Sequence, residues 1–133
     1  MEAIWFGFEK LELWKKVREF KNEVCQEARK FPPEEKFRLS DQLIRSSRSI
    51  NSLISEGHGR FSWPDQIHFC IQARGSLTET VNHLIDACDE SYISQVKLDY
   101  FKQKAKVVER LLNGYLEYLR NKRDHPNKST IVQ

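Results

Sequence analysis

Apolar residues recur along this chain at intervals of three and four positions, in four blocks separated by short breaks. That spacing places the apolar residues on one face of an α-helix and is typical of amphipathic helices. The first block stops at Pro32-Pro33, because proline disfavours helical geometry in the residue before it. The four blocks predict helices over residues 9–31, 34–57, 63–90 and 95–121.

The starts of the later blocks carry helix-capping signals. Pro33 is followed by two carboxylates, and this order suits the positively polarised first turn of a helix. Ser62 precedes Pro64 and Asp65 as an N-cap serine would, and Ser94 is predicted to cap the fourth helix. The breaks are short, so each helix must return beside its predecessor. The chain is therefore predicted to be an all-α, antiparallel, up-down-up-down four-helix bundle.

The two ends of the chain differ from the bundle, which we expect to span residues 9–121. Residues 1–8 form an apolar N-terminal arm that contains Ile4, Trp5, Phe6 and Phe8. That much apolar surface is expected to pack on its own bundle or on a neighbouring subunit. Residues 122–133 contain Pro126 and no apolar period, which predicts a flexible basic tail.

Composition points to a cytoplasmic protein. The chain has 133 residues and three cysteines, an odd number without the close pairing of a disulfide framework. We expect buried, reduced thiols rather than redox or nucleophilic ones, in keeping with a reducing cytoplasm. No stretch approaches the roughly 20 apolar residues of a membrane span, and the first residues do not have the pattern of a signal peptide.

Catalytic signatures are missing from the sequence. None of the four histidines stands in a His-x-x-x-His or Glu-x-x-His pair, which a helical metal site would need. No Ser-His-acid set is indicated by position. The glycine-containing segment 57–60 follows a helix and lacks the lysine of a phosphate-binding loop. We therefore predict no catalytic residue, no metal site and no cofactor. The histidines are His58, His68, His83 and His125.

A polar layer is predicted between the second and third helices. The segment Ala73-Arg74-Gly75-Ser76 places a charge and small residues in mid-helix, where glycine costs about 1 kcal/mol relative to alanine and so needs a packing reason. Pairing the two helices about a turn near Arg60 brings together a buried or half-buried layer that would fix their register. The alternative is solvated surface charge. The predicted layer consists of Arg45, Ser47, Arg74 and Glu79.

Positive charge is concentrated in the fourth helix and the tail. The formal net charge is only +3, but residues 95–133 contain nine Lys or Arg and four Asp or Glu. Lysines spaced by four positions lie on one helix face and can neutralise phosphates. The alternative is an ordinary solvated face. The candidate nucleic-acid-binding residues are Lys97, Lys102, Lys106, Arg110, Arg120, Lys122 and Arg123.

Several motifs together carry a resemblance to a known family. The motifs are Leu11-Glu12-Leu13-Trp14, Phe31-Pro32-Pro33-Glu34-Glu35, the segment from Leu39 to Ile50, Ile54-Ser55-Glu56-Gly57-His58-Gly59-Arg60, and Ala73-Arg74-Gly75-Ser76-Leu77-Thr78-Glu79. Through them the chain resembles the four-helix-bundle proteins encoded in intervening sequences of bacterial 23S rRNA genes, over about residues 8–120. It differs in having Arg45-Ser46 where the family usually has Arg-Ala, and Leu53 where the family often has Asn.

The resemblance implies properties that the residue pattern does not show. Members are similar to the accessory variability protein of diversity-generating retroelements, a basic bundle that binds a reverse transcriptase and nucleic acid, and they form ring-like homopentamers. The predicted function is a non-enzymatic, oligomeric helical scaffold that binds RNA or an RNA-handling protein such as a reverse transcriptase. The alternative is a protein-interaction adaptor with no nucleic-acid role, docking through Trp5, Phe6 and Phe8.

Overall fold

The computed structural model describes residues 3–127, and within that range the chain is all-α, as predicted. Two short 3₁₀ helices, Gly7–Lys10 and Pro33–Glu35, precede the first and second long helices. The four long helices are α1 (Glu12–Ala28), α2 (Leu39–His58), α3 (Trp63–Asp89) and α4 (Gln95–Asp124).

The four helices form a closed bundle in which each packs against two others, in the order α1, α2, α3, α4 and back to α1. Side-chain pairs between neighbours run in opposite directions along the two chains, which is the mark of antiparallel helices. The pairs are Ser46 with Thr80 and Ser49 with Ser76 between α2 and α3, and Glu27 with Lys97 and Glu23 with Lys104 between α1 and α4.

Both predicted serine caps are present. The Ser62 hydroxyl accepts a hydrogen bond from the backbone N–H of Asp65 at 3.2 Å, at the start of α3. The Ser94 hydroxyl accepts one from Lys97 at 3.1 Å, at the start of α4. Each bond satisfies an N–H that has no partner within the helix, so the two starts agree with their sequence signals.

Other helix ends differ from the predicted bounds. α2 begins at Leu39 rather than at residue 34, because Pro33–Glu35 forms a separate 3₁₀ turn and Arg38 has non-helical backbone angles (φ −122°, ψ −110°). α4 continues to Asp124, three residues into the predicted tail, since Lys122 and Arg123 suit the negative end of the helix dipole. Residues 1–2 of the arm and 128–133 of the tail lie outside the described range.

Most of the bundle core comes from the predicted apolar stripes, but Phe37 and Ile71, which the stripes included, are 84 % and 47 % exposed. Phe20 of α1 and Phe101 of α4 meet edge to face, with ring centroids 6.4 Å apart. Leucines and valines from α2, α3 and α4 fill the space around them and are at most 3 % exposed: Leu43, Leu77, Leu84, Val108 and Leu112.

The N-terminal arm is only partly packed on its own bundle. Phe8 contacts Trp14 edge to face, with centroids 5.1 Å apart. The Glu9 carboxylate accepts hydrogen bonds from the backbone N–H groups of Trp5 and Phe6, at 3.1 and 2.8 Å. These bonds hold the arm in one direction, yet the side chains of Trp5 and Phe6 remain 84 % and 66 % exposed.

Candidate nucleic-acid interface

The basic residues of α4 lie on two different sides of the helix. Lys97 and Lys104 face α1, where their ammonium groups lie 3.4 Å from a carboxylate oxygen of Glu27 and 2.9 Å from one of Glu23. These ion pairs join the two helices. The positive charges of Lys97 and Lys104 are therefore largely neutralised within the bundle.

Glu23 is the centre of a small hydrogen-bonded cluster on this side. Burial by itself raises the pKa of Glu23, but hydrogen bonds from Lys104 and Tyr100 outweigh it and the net pKa is lowered. The hydrogen bond to Glu23 raises the pKa of Lys104 in turn. Both groups are thus charged at neutral pH, and the cluster acts as a tie between α1 and α4.

Other cations of α4 lie on its outer side: Lys102 and Lys106 border α3, and Arg110 lies on the edge toward the start of α1. At 3.6 residues per turn, four of them fall within an arc of about 80° and extend roughly 27 Å along the helix. We call this surface the α4 basic strip. Its members are Lys102, Lys106, Arg110 and Arg120, and all four are exposed.

Pairing differs among the residues of the α4 basic strip. Lys106 contacts Glu109 at 2.9 Å, an ion pair within one helix turn. Lys102, Arg110 and Arg120 make no ion pair with any residue between 3 and 127. Their full charges are therefore available to an external anion.

The last turn of α4 holds the other two candidates. The Arg123 Nε donates to a carboxylate oxygen of its neighbour Asp124 at 2.9 Å. That hydrogen bond is the largest effect on Asp124, and it lowers the pKa of the carboxyl. Lys122 is half-buried and has interactions of its own. Lys122 is thus less open than the α4 basic strip, whereas Arg123 is exposed but paired with Asp124.

A groove between α3 and α4 borders this strip. It has a volume of about 480 Å³ and an apolar floor, with Lys102, Lys106 and Glu109 on its α4 side. On α3 its lining residues are spaced by three and four positions. Arg74 lies one turn before Thr78 in this series and is exposed, so it adds a cation next to the groove. The α3 lining consists of Leu77, Thr78, Val81, Asn82 and Ile85.

The predicted polar layer is wrong for three of its four members. Ser47 is fully buried, whereas Arg45, Arg74 and Glu79 are exposed. Arg45 pairs with Asp41 and Glu79 with His83, each on its own helix. The error is mainly one of helix face: Arg45, Arg74 and Glu79 lie off the buried stripes, and the residues next to them are the buried ones. The register also differs from the prediction, since Ser46 meets Thr80 and Ser49 meets Ser76. A solvated arginine also avoids the large desolvation penalty of a buried one.

A different polar layer occupies that place, and it contains hydroxyls instead of charges. Thr80 Oγ1 lies 2.9 Å from Ser46 Oγ and 2.8 Å from the Ser76 carbonyl oxygen. The Cys25 thiol contacts Ser47 Oγ at 3.5 Å. The small polar residues of α2 were the sequence signal for this layer, but nothing in the sequence indicated Thr80 as the partner.

Gly75 does not have the packing contact expected of it. A Cβ added there would meet no atom of the described chain within 4 Å, and the same holds for Gly114 of α4. Both are exposed mid-helix glycines. Their helices therefore carry a propensity cost of about 1 kcal/mol each without a compensating contact inside the subunit.

The cysteines and histidines do not assemble into a reactive site within residues 3–127. Burial raises the pKa of Cys70 to about 12, so its thiol is protonated and a poor nucleophile at neutral pH. No group of three or more His, Cys, Asp or Glu side chains in this range could hold a metal ion. Nor is any of its helices both long and apolar enough to span a lipid bilayer.

Comparison with known proteins gives one family and one fold. A family model described as 23S rRNA-intervening sequence protein matches residues 9–114. A solved structure of a protein of unknown function from the S23 ribosomal protein family of Bacteroides thetaiotaomicron superposes with a TM-score of 0.72, at 24 % identity. That alignment covers 78 % of this chain and 97 % of the other. A search of curated proteins gives no match.

Proposed function

This chain belongs to the family of 23S rRNA-intervening sequence proteins, and from that starting point we propose that it is a non-enzymatic, oligomeric scaffold that binds structured RNA. The α4 basic strip is the proposed contact surface. The protein would act in the cytoplasm. An RNA-handling protein such as a reverse transcriptase is the other ligand that the family resemblance implies.

The observation that carries the proposal is the division of charge on α4. Lysines toward α1 are used for internal ion pairs, whereas Lys102, Arg110 and Arg120 hold exposed charges without an ion pair in the described range. An RNA backbone offers closely spaced phosphates, and each cation that neutralises one releases a counterion. A strip of roughly 27 Å has the length to follow several phosphates.

The first test measures RNA binding at several salt concentrations with the strip neutralised. The triple variant Lys102→Gln, Arg110→Gln, Arg120→Gln removes the three cations without changing the core. We expect its affinity for an RNA hairpin to fall at least tenfold at low salt. The slope of log K against log[salt] should become less steep by roughly 2 to 3, near one unit per lost phosphate contact. Fluorescence anisotropy of labelled RNA measures both.

The matched control removes charge from the other side of the same helix. Lys97→Gln with Lys104→Gln breaks the ion pairs to α1, so this variant should lose some thermal stability and keep most of its salt slope. Wild-type protein that fails to bind RNA at low salt, or binds with no salt dependence, would rule out the proposal. Losses in proportion to the charges removed, three against two, would show that net charge, not the strip, matters.

The oligomeric part of the proposal is a homopentamer, as the family resemblance implies. Light scattering coupled to gel filtration gives the mass of the particle directly. A ring of five subunits would present five α4 basic strips to one RNA. A monomer of 15.8 kDa at all concentrations would refute this part.

A second candidate is a protein-interaction adaptor with no nucleic-acid role. Exposure of the arm favours it, because Ile4, Trp5 and Phe6 are all more than half exposed and aromatic side chains are enriched at protein interfaces. Deleting residues 1–8 and measuring the mass of the particle in solution distinguishes an adaptor arm from an assembly contact. An unchanged assembly that loses a protein partner favours the adaptor, and a collapse to monomer makes the arm an assembly contact.

A further inference from the structure

The arm exposes more apolar surface than its own bundle covers. Ile4, Trp5 and Phe6 are 51 %, 84 % and 66 % exposed, while the hydrogen bonds to Glu9 fix the backbone that carries them. A preorganised apolar segment loses little conformational entropy when it binds a complementary surface. The arm therefore has the properties of an inserted anchor.

A complementary cavity lies at the other side of α1. Its volume is about 320 Å³, and its walls are apolar residues from the beginning of α1 and the second half of α4. Gly114 opens it, because a side chain at this position would occupy space that is now empty. Glu12 and Arg110 lie at the rim. The apolar walls are Leu11, Leu13, Leu111 and Tyr115.

We propose that the arm of one copy docks in this cavity on a second copy, with Trp5 as the anchor. The inference deepens the oligomeric part of the proposed function and rests on it. Its physical basis is the apolar surface that Trp5, Phe6 and Ile4 remove from water, at about 150–250 Å² for each fully buried aromatic side chain.

The occupant is a second copy because the arm of the same chain points elsewhere. The His58 ring of α2 lies 2.9 Å from where a Cβ on Gly7 would be, and Phe8 packs on Trp14. These contacts direct the arm to the α2 side of α1, whereas the cavity lies on the α4 side. Filling its own cavity would require the arm to break both contacts and reverse.

The chemistry of the cavity favours tryptophan over phenylalanine. A buried indole needs an acceptor for its N–H, and the Glu12 carboxylate at the rim supplies one. A volume of about 320 Å³ is near the small end of ligand pockets and accommodates an aromatic side chain rather than a whole helix. Phe6 and Ile4 would then cover the rim.

This contact joins two different surfaces of the subunit. The arm and the cavity are different surfaces, so the contact is not symmetric. Each copy inserts its arm into one neighbour and receives the arm of another neighbour in its cavity. Head-to-tail contacts of this kind close into a ring when the rotation per subunit allows it. The geometry thus supplies a physical cause for assembly that the α4 basic strip does not.

The test fills the cavity without disturbing the fold. Gly114→Leu places a side chain where nothing lies within 4 Å of the new Cβ, and leucine is a better helix former than glycine. We expect this variant to melt at a higher temperature and to raise the dissociation constant of the assembly at least tenfold in sedimentation velocity. Gly75→Leu is the matched control, because it makes the same change at an equally open site on α3 and should leave assembly unchanged.

Mixing two variants then identifies the pair of surfaces. Trp5→Ala keeps the cavity and Gly114→Leu keeps the arm, so each alone should be monomeric and the mixture should form a one-to-one dimer. Three results would overturn the inference: wild-type protein that stays monomeric, Gly114→Leu that assembles like wild type, or a mixture without dimers.

These readouts separate this inference from RNA binding. Mass is measured without RNA, so loss of RNA binding in a strip variant leaves the assembly result standing. The comparison uses Lys102→Gln with Arg120→Gln, because Arg110 also lines the cavity. Conversely, if wild type assembles and both Trp5→Ala and Gly114→Leu give particles of the same mass as wild type, arm docking is refuted and the RNA proposal is unaffected.

Discussion

Ser91 stands in the left-handed region of backbone space, with φ of 63°, just after the end of α3. Ser91 occupies the position that glycine usually has in a Schellman motif. The N–H of Tyr92 donates to the carbonyl oxygen of Ala87 at 2.8 Å, and the N–H of Ser91 donates to the carbonyl oxygen of Cys88 at 2.9 Å. A Cβ in this conformation costs about 1–2 kcal/mol. The motif turns the chain toward α4 while Tyr92 packs on Phe31, with ring centroids 5.4 Å apart.

Replacing Ser91 by glycine should therefore stabilise the protein. Part of the relieved strain is offset by the greater freedom of glycine in the unfolded chain, about 0.5–1 kcal/mol. We expect a net gain of about 0.5–1 kcal/mol in the free energy of unfolding, measured by urea denaturation. Ser91→Ala retains the Cβ and should give no gain. A glycine variant no more stable than the alanine variant would contradict this account.

At the scale of single elements, α1 and α4 are joined by charges that depend on pH. Glu23 has a lowered pKa, so its contribution to stability is present above the unfolded value of 4.5 and is lost as pH falls through the folded pKa. Lys104 has a raised pKa, so its contribution is present below 10.5 and is lost as pH rises through the folded pKa. The tie between the two helices is complete between these limits.

Glu23→Gln tests the tie. Both partners are about one-third exposed, which limits the loss at pH 7 to under about 1 kcal/mol. The loss should shrink toward pH 2, as the pH falls through the lowered pKa of Glu23 and the wild-type carboxyl is neutralised. Glu19→Gln removes an exposed carboxylate of the same helix and should change stability little at either pH. A deficit in Glu23→Gln that persists at pH 2 would mean that packing, not charge, is responsible.

Helix existence could be predicted from the sequence more reliably than helix register. The stripes that contain Leu43, Leu84 and Leu112 indicated the core faces directly, because a period of 3.6 is a local property. The relative shift of α2 and α3 depends on how many residues the connection uses and on which small side chains interlock. That is why Thr80 was not expected beside Ser46. Arg45 was misplaced for a different reason, because it lies on the exposed face of α2, and a shift in register does not change which face is exposed.

The candidate site was partly predictable for the same reason. Spacing by four positions placed Lys102, Lys106 and Arg110 on one face, as α4 has them. Spacing alone could not show that Lys97 and Lys104 turn toward carboxylates of α1, since that depends on which helix lies alongside. The role of Gly114 could not be predicted from the sequence. It lines a cavity whose other wall is a helix about 100 residues earlier in the chain.

At the scale of the whole molecule, assembly and RNA binding should be coupled. A subunit presents one α4 basic strip, whereas an assembly presents several to one RNA, and linked contacts raise the effective concentration of each further contact. The monomeric variant Gly114→Leu should thus bind an RNA hairpin at least tenfold more weakly than wild type, although its strip is unchanged. Its salt slope should fall in proportion to the strips that no longer take part.

Linkage requires the converse effect. If assembly strengthens RNA binding by some factor, RNA must strengthen assembly by the same factor. At protein concentrations where wild type is half dissociated, adding the hairpin should therefore raise the assembled fraction seen by sedimentation, and Gly75→Leu should behave in the same way. Equal RNA affinity and equal salt slope for monomer and assembly would show that each α4 basic strip binds RNA independently. Assembly would then not serve to bring several strips to one RNA.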